Sequence, residues 1–305
     1  MRKKIKYFLI VLMAVIFIFI ARGIINSNYT TNNFLLNKSN SKEIKNEDNI
    51  KGDINNDEEH KEEEISEIQE GAEDVDEKKD VNYIDIASSE VEIPILMYHS
   101  ISSADPENSL LISPEDFEAQ VSYLSNNGFT ALSLSEAMEC MNSGHVPEKP
   151  VVLSFDDGYV DNYTDAFNIL EKYNMKGTFF IITDNTDGGG YMSLDMLKEM
   201  NEAGMDIENH TAHHLDLSTL SYEDQLESIK SGQDFLKEKL GVDSRFVCYP
   251  SGKYNDSTIE VLKDLNIEGA VTTEYGIATA ADGQYQLKRI RISPMSIESF
   301  ASIFL

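Results

Sequence analysis

The chain of 305 residues is short of basic side chains: 25 Lys and Arg stand against 54 Asp and Glu, a formal net charge of -29. Nucleic-acid backbones are bound by clustered Lys and Arg, so a polyanion of this kind is repelled by them, and nucleic acid is excluded as a partner. Cysteine is nearly missing as well. Cys140 and Cys248 are the only two, with no Cys-x-x-Cys spacing, which excludes a disulfide-dense scaffold, a structural zinc knot and a thioredoxin-like site. Apolar residues make up 41%, slightly low for a chain packed throughout, so part of it is expected to stay unpacked. No internal repeat is visible.

What is present divides into three parts. Arg2, Lys3, Lys4 and Lys6 precede an uncharged apolar run from Tyr7 to Ala21, after which Arg22 interrupts before Gly23, Ile24 and Ile25. A cleaved signal peptide and an uncleaved anchor compete for this pattern. No small-x-small cleavage site ends the run, and Arg22 can snorkel, so residues 1–25 read as a signal-anchor. The positive-inside rule then puts the N-terminus in the cytoplasm and the rest outside a membrane crossed once; the alternative is secretion after cleavage. No cysteine stands near the end of the run, which excludes a lipoprotein. Residues 26–90 carry 19 acidic and 7 basic side chains with scattered isoleucines. They bury too little apolar surface to offset ordering entropy and read as a disordered acidic linker.

Residues 91–305 alternate short apolar runs with longer amphipathic ones. Strands are expected at Ile93 to Met97, Val151 to Phe155, Gly177 to Ile182, Asp206 to Glu208, Phe246 to Tyr249 and Gly269 to Thr272, with helices at 114–126, 133–143, 163–173, 193–202, 221–240 and 255–265. Ser113 before Pro114 and Ser221 before Asp224 are helix N-terminal signals. This order argues for a βα barrel or a doubly wound sheet, with chemistry at the C-terminal ends of the strands.

Polar clusters fall at those ends. The apolar run from Val151 to Phe155 terminates in Asp156, Asp157 and Gly158. Adjacent carboxylates at a buried strand mouth repel unless a cation or proton lies between them. Their side chains diverge, so one can ligate a metal while the other addresses a water beside it. A second cluster, Glu208-Asn-His210-Thr-Ala-His213-His214, holds three of the six histidines. His210 and His214 share a face if the segment is helical or tightly turned, as two imidazole ligands of a divalent ion require, whereas His213 is offset toward the surface. Two histidines and a carboxylate leave coordination positions open, the arrangement of a hydrolytic site.

With these residues in view, the chain resembles the polysaccharide deacetylases of the NodB-homology type, carbohydrate esterase family four. Phe155-Asp156-Asp157-Gly158 is similar to that family's first motif, and the segment His210 to His214 fits its His-Ser/Thr-x-x-His second motif. The likeness implies an α/β fold, a distorted (β/α)7-type barrel, here preceded by the membrane anchor and the linker. It also implies Asp157, His210 and His214 as metal ligands and Asp156 as general base. The third motif departs from the common Arg-x-Pro-Tyr/Phe-Gly, because Cys248 stands where the arginine would be in Cys248-Tyr249-Pro250-Ser251-Gly252. The chain is most similar to the branch acting on poly-N-acetylglucosamine and to related cell-wall deacetylases. Pro250 and Gly252 shape a turn whose Ser251 amide can point at a developing oxyanion. The group that orients Asp156 is expected to be Arg289, with Arg291 as alternate, since alternate residues of a strand share a face. No histidine follows His214, so the usual late Leu-x-His acid is missing. The same branch places its acid in an N-terminal Tyr-His, which points to His99 after Tyr98.

The expected activity is metal-dependent hydrolysis of N-acetyl groups on an N-acetylglucosamine polymer, poly-N-acetylglucosamine or peptidoglycan. The expected cofactor is Zn2+, with Co2+, Ni2+ or Mn2+ as substitutes. The partners are that polysaccharide and, through the anchor, a membrane; the chain is expected to be a monomer. Removal of an ester-linked acetyl, a noncatalytic glycan-binding module and a phosphatase-like centre are the rivals. Lys253, Tyr254 and Tyr98 are candidate groove residues, and Thr183 to Tyr191 is a loop facing the same mouth.

Overall fold

The computed structural model describes residues 81–305. Seven strands build its centre: β1 (Ile95–Tyr98), β2 (Pro150–Phe155), β3 (Thr178–Ile181), β4 (Asp206–Asn209), β5 (Phe246–Cys248), β6 (Gly269–Tyr275) and β7 (Leu287–Arg291). Each pairs in parallel with its neighbour in sequence, and β1 bonds to both β2 and β7, so the ring closes and leaves no free edge. A short outer strand, Thr130–Ala131, adds to β2.

The helices are α1 (Pro114–Asn126), α2 (Leu134–Ser143), α3 (Asn168–Lys172), α4 (Leu194–Glu202), α5 (Tyr222–Leu240), α6 (Asp256–Asp264) and α7 (Ile297–Ala301). Serine side chains at positions 113, 133, 193 and 221 accept from the backbone N–H three residues on and so start α1, α2, α4 and α5. Gly144 and Gly241 end α2 and α5 in the left-handed conformation. A π-helical stretch, Asn162–Phe167, leads into α3.

Strand alternation sorts the core into two shells. Leu96, Tyr98, Leu153 and Phe155 point outward and pack against Phe117, Val121 and Leu124 of α1. Their neighbours Ile95 and Val152 point inward with Phe180, Phe246, Val271 and Leu287. Into this inner cluster α2 lays Leu134, Ala137, Cys140 and Met141. The Leu134 N–H bonds to Thr178 Oγ1 at the start of β3, which fixes α2 across the N-terminal ends of the strands as a floor. The cluster of metal-ligating side chains lies at the opposite, C-terminal end.

The expected architecture needs one correction. No helix among the described residues is long and apolar enough to cross a membrane, and residues 1–25, where the anchor was expected, lie outside the described residues. The anchor, the membrane partner and the single-pass location that depended on it are therefore not carried further. Most of the acidic stretch also lies outside the described residues. Its last part, however, carries the strand Tyr83–Asp85, antiparallel to His145–Pro147, with Tyr83 stacked on His145 at 4.8 Å. Composition could not reveal this strand, because all three of its residues are exposed and its partner is 60 residues away.

One helical glycine positions the site. A Cβ on Gly232 of α5 would stand 2.3 Å from Asn209 Oδ1. Asn209, at the end of β4, donates to the Ile229 carbonyl at 2.8 Å and accepts from the Thr211 N–H at 2.8 Å, holding the chain on both sides of His210. Gly232→Ala should therefore destabilise the protein by about 1–3 kcal/mol, although alanine gains about 1 kcal/mol in an open helix. Thermal unfolding of the variant checks the sign.

Candidate active site

The inward face of β7 carries Arg289, which is wholly buried and extends across the barrel. Its Nε donates to the Thr272 carbonyl at 2.8 Å, and Nη1 and Nη2 reach the two oxygens of Asp156 at 2.8 Å each. Nη1 also meets Ser154 Oγ at 3.1 Å and Nη2 meets Cys248 Sγ at 3.2 Å. One guanidinium thus ties β7 to β2, β5 and β6. Burial would raise the Asp156 pKa, but the charge and the paired hydrogen bonds of Arg289, helped by His99 and His210, hold it far below the usual carboxylate range. Arg291 lies on the same strand face, one layer nearer the mouth, and is exposed. Arg289, not Arg291, makes the contact.

Asp157 turns the other way. Its φ of 74° is in the left-handed region, as are Thr211 at 64°, His214 at 53° and Ser251 at 53°. Four of the seven non-glycine residues with positive φ among the described residues thus lie at this one mouth. Such conformations cost energy and persist where the surroundings enforce them. The result is a cluster of donors: Asp157 Oδ1 is 3.4 Å from His210 Nε2 and 3.5 Å from His214 Nε2. The Cys248 carbonyl, 2.8 Å from His210 Nδ1, can accept the N–H of that nitrogen and leave Nε2 to ligate a cation. Two donors bound at about 2.0–2.1 Å to one tetrahedral ion are about 3.4 Å apart. Two of the separations match that span and all three donor atoms lie within 4.8 Å of one another, so Asp157, His210 and His214 fit a divalent metal. Asp156, His210 and Cys248 also approach one another, but Arg289 already bonds to both Asp156 and Cys248.

His99 stands just past β1, half-buried, with Nε2 3.9 Å from Asp156 Oδ2. Burial lowers its pKa; Asp156 and Asp157 oppose this, while Arg289 and Arg291 add to it. Ser251 is exposed in the turn Pro250–Gly252 that follows β5. His213 is on the surface between Asp184, at 2.6 Å, and Glu227, at 3.6 Å. Tyr98 is core: it is fully buried and donates to Gln120 Oε1 at 2.9 Å. Tyr254 stacks on Tyr249 at 4.3 Å, and Lys253 is exposed. The loop from Thr183 is pinned at both ends, by Thr183 and Asp184 N–H to the carbonyls of Thr211 and Ala212 and by Met192 N–H to Gly158 O. It spans between the Asp157 and His210 segments. Sequence reasoning missed Asp161 and Asn162, which hold the backbone beside His99; an Asp-Asn pair five residues past a carboxylate motif carries no distinguishing signal.

Comparison with known proteins agrees with this geometry. A family model described as polysaccharide deacetylase matches residues 143–270. The Bacillus subtilis protein YxkH, named for polysaccharide deacetylation, is 37% identical over 212 residues, covering 69% of this chain and 75% of its own. The chain belongs to the polysaccharide deacetylase family. A solved structure of the Streptococcus pyogenes deacetylase PplD in complex with acetate superposes on this deacetylase with a TM-score of 0.67 and 38% identity, over 70% of this chain and 97% of that one. The poly-beta-1,6-N-acetyl-D-glucosamine N-deacetylase of Staphylococcus epidermidis is 27% identical, over 67% of this chain and 80% of its own. The deacetylase is a metal-dependent hydrolase that removes N-acetyl groups from a glycan.

Substitution separates the two carboxylates. Asp157→Ala, His210→Ala and His214→Ala should each lose bound metal and activity together, read by metal analysis and acetate release; a full metal equivalent in any of them would remove that residue from the ligand set. Asp156→Asn should keep the metal and lose turnover. Arg289→Ala leaves a buried carboxylate unpaired and should cost about 3–5 kcal/mol in denaturant unfolding.

Proposed function

We propose that the domain from residue 91 onward is the catalytic unit and that it deacetylates N-acetylglucosamine units of a polymer of the poly-N-acetylglucosamine or peptidoglycan kind. The observation that carries this reading is the division of labour between adjacent carboxylates: Asp157 faces two imidazoles, and Asp156 faces an arginine and His99. Two imidazoles, one carboxylate and open positions suit Zn2+, held by Asp157, His210 and His214. When bound there, the ion supplies Lewis acidity toward an acetyl carbonyl and its attacking water.

The chain's own residues handle the protons. Asp156 is kept ionised by Arg289 and accepts the proton of the attacking water. The new C–O bond forms as the carbonyl oxygen takes up charge, toward which the Ser251 amide donates. His99 then protonates the leaving nitrogen as the C–N bond breaks. Asp156 Oδ2 and His99 Nε2 are 3.9 Å apart, too far for a direct hydrogen bond but close enough to face the same attacking water and leaving nitrogen, through which a proton passes from one to the other. The depressed pKa of His99 favours neutral imidazole at rest, so the proton it delivers is the one released by the water. Acetate and an amino sugar result.

The similarity to the staphylococcal deacetylase supports the poly-N-acetylglucosamine class. Acetate release from chitooligomers, poly-N-acetylglucosamine, peptidoglycan and an O-acetylated glycan tests the assignment. Release from the ester substrate alone would replace it with O-deacetylation. An amine leaves poorly unless protonated, whereas an activated aryl ester barely needs an acid. His99→Ala should therefore lose on the order of 100-fold on the N-acetylated polymer and little on an aryl acetate, with metal content unchanged. Equal losses on both substrates would mean that His99 supports the metal or the fold instead.

A further inference from the structure

Beyond β1 the chain leaves the barrel wall, and three consecutive residues there are held by side chains from one place. Asn162 Nδ2 donates to the His99 carbonyl at 2.7 Å. Asp161 accepts from Ser100 Oγ at 2.6 Å and from the Ile101 N–H at 3.1 Å. Asn162 is completely buried, and its Nδ2 bonds also to Asp161 Oδ1 at 3.1 Å, which couples the two. Its Oδ1 is buried with no protein partner among the described residues.

Asn162 also opens the π-helical stretch. Such a stretch carries an extra residue per turn and recurs at functional sites. Here it brings the start of the helix after β2 against the end of β1, so one loop, Asp156 to Asn162, supplies the base at its beginning and the clasp on His99 at its end.

We propose that Asp161 and Asn162 are positioning residues for proton delivery to the leaving nitrogen, acting through His99. The inference rests on His99 being the acid. Backbone anchoring of residues 99–101 fixes the root of the imidazole, and with it the 3.9 Å approach of Nε2 to Asp156. A rotation about an unanchored Cα would move the ring tip by more than a hydrogen bond tolerates, and proton transfer falls steeply with such misplacement.

The experiment compares an N-acetylated chitooligomer with an aryl acetate in the metal-loaded full chain. Asn162→Ala and Asp161→Ala should each lower kcat on the oligomer by 10-fold or more, with KM and metal content nearly unchanged, and lower the aryl acetate rate less than threefold. Asp161→Asn keeps one acceptor oxygen for the Ile101 N–H and places an amide N–H where Ser100 Oγ can accept it, and should restore part of the loss relative to Asp161→Ala. In a His99→Ala background, Asn162→Ala should cost the oligomer reaction nothing further, because the residue it positions is gone. A further loss in that background, or equal losses on both substrates, would overturn the positioning role. If His99→Ala itself shows no preference for the amide substrate, the acid assignment fails instead, which is a distinct result. Should Asn162→Ala not fold, Ser100→Ala, which removes a single hydrogen bond of the clasp, carries the same comparison at a smaller expected loss of about threefold on the oligomer, and equal losses on both substrates would again overturn the role.

Discussion

The pairing of Arg289 with Asp156 is the interaction on which the rest of the site depends. A buried carboxylate beside a second carboxylate would take up a proton; with a guanidinium across both its oxygens it stays ionised. Asp157 is then released from any need to share charge with its neighbour and can turn toward the histidines. The same pairing accounts for Cys248 in the third motif. Its sulfur lies 3.2 Å from Arg289 Nη2, so an arginine at position 248 would bring a second guanidinium into a space already filled by one. A small neutral side chain is what the geometry accepts, and the cation has come from β7 instead.

Electrostatics and backbone strain act together at this mouth. Asp157, Thr211, His214 and Ser251 all adopt positive φ, each bending the chain sharply where a strand would otherwise run on. These bends let a strand end deliver side chains back over the barrel axis rather than outward. The barrel beneath is rigid because its ring is closed and its inner cluster is apolar. Strain at the rim is therefore resisted by packing below it, and the donors hold their spacing before any ligand arrives.

Much of this was legible in the sequence because it is local. Serine caps, apolar runs and the Asp-Asp-Gly and His-Thr-Ala-His-His segments each declare themselves within a few residues. What was not legible depends on distant partners. Arg289 and Arg291 share a strand face, and only their depth in the barrel separates the buried residue from the exposed one. Asp161 and Asn162 matter because β1 lies beside β2, a fact that no window around them contains. The strand at Tyr83–Asp85 is exposed and polar-flanked, so it has no pattern of its own. The anchor expectation rested on the basic tip, the apolar run and the missing cleavage site of residues 1–25, all outside the described residues, and no membrane-crossing helix stands among the described residues in its support.

The floor laid by α2 decides how material enters and leaves the site. Leu134, Ala137, Cys140 and Met141 fill the lower end of the barrel, so nothing threads through it, and substrate and acetate use the same opening. Release of acetate and entry of the next acetyl-bearing group must therefore alternate at one mouth.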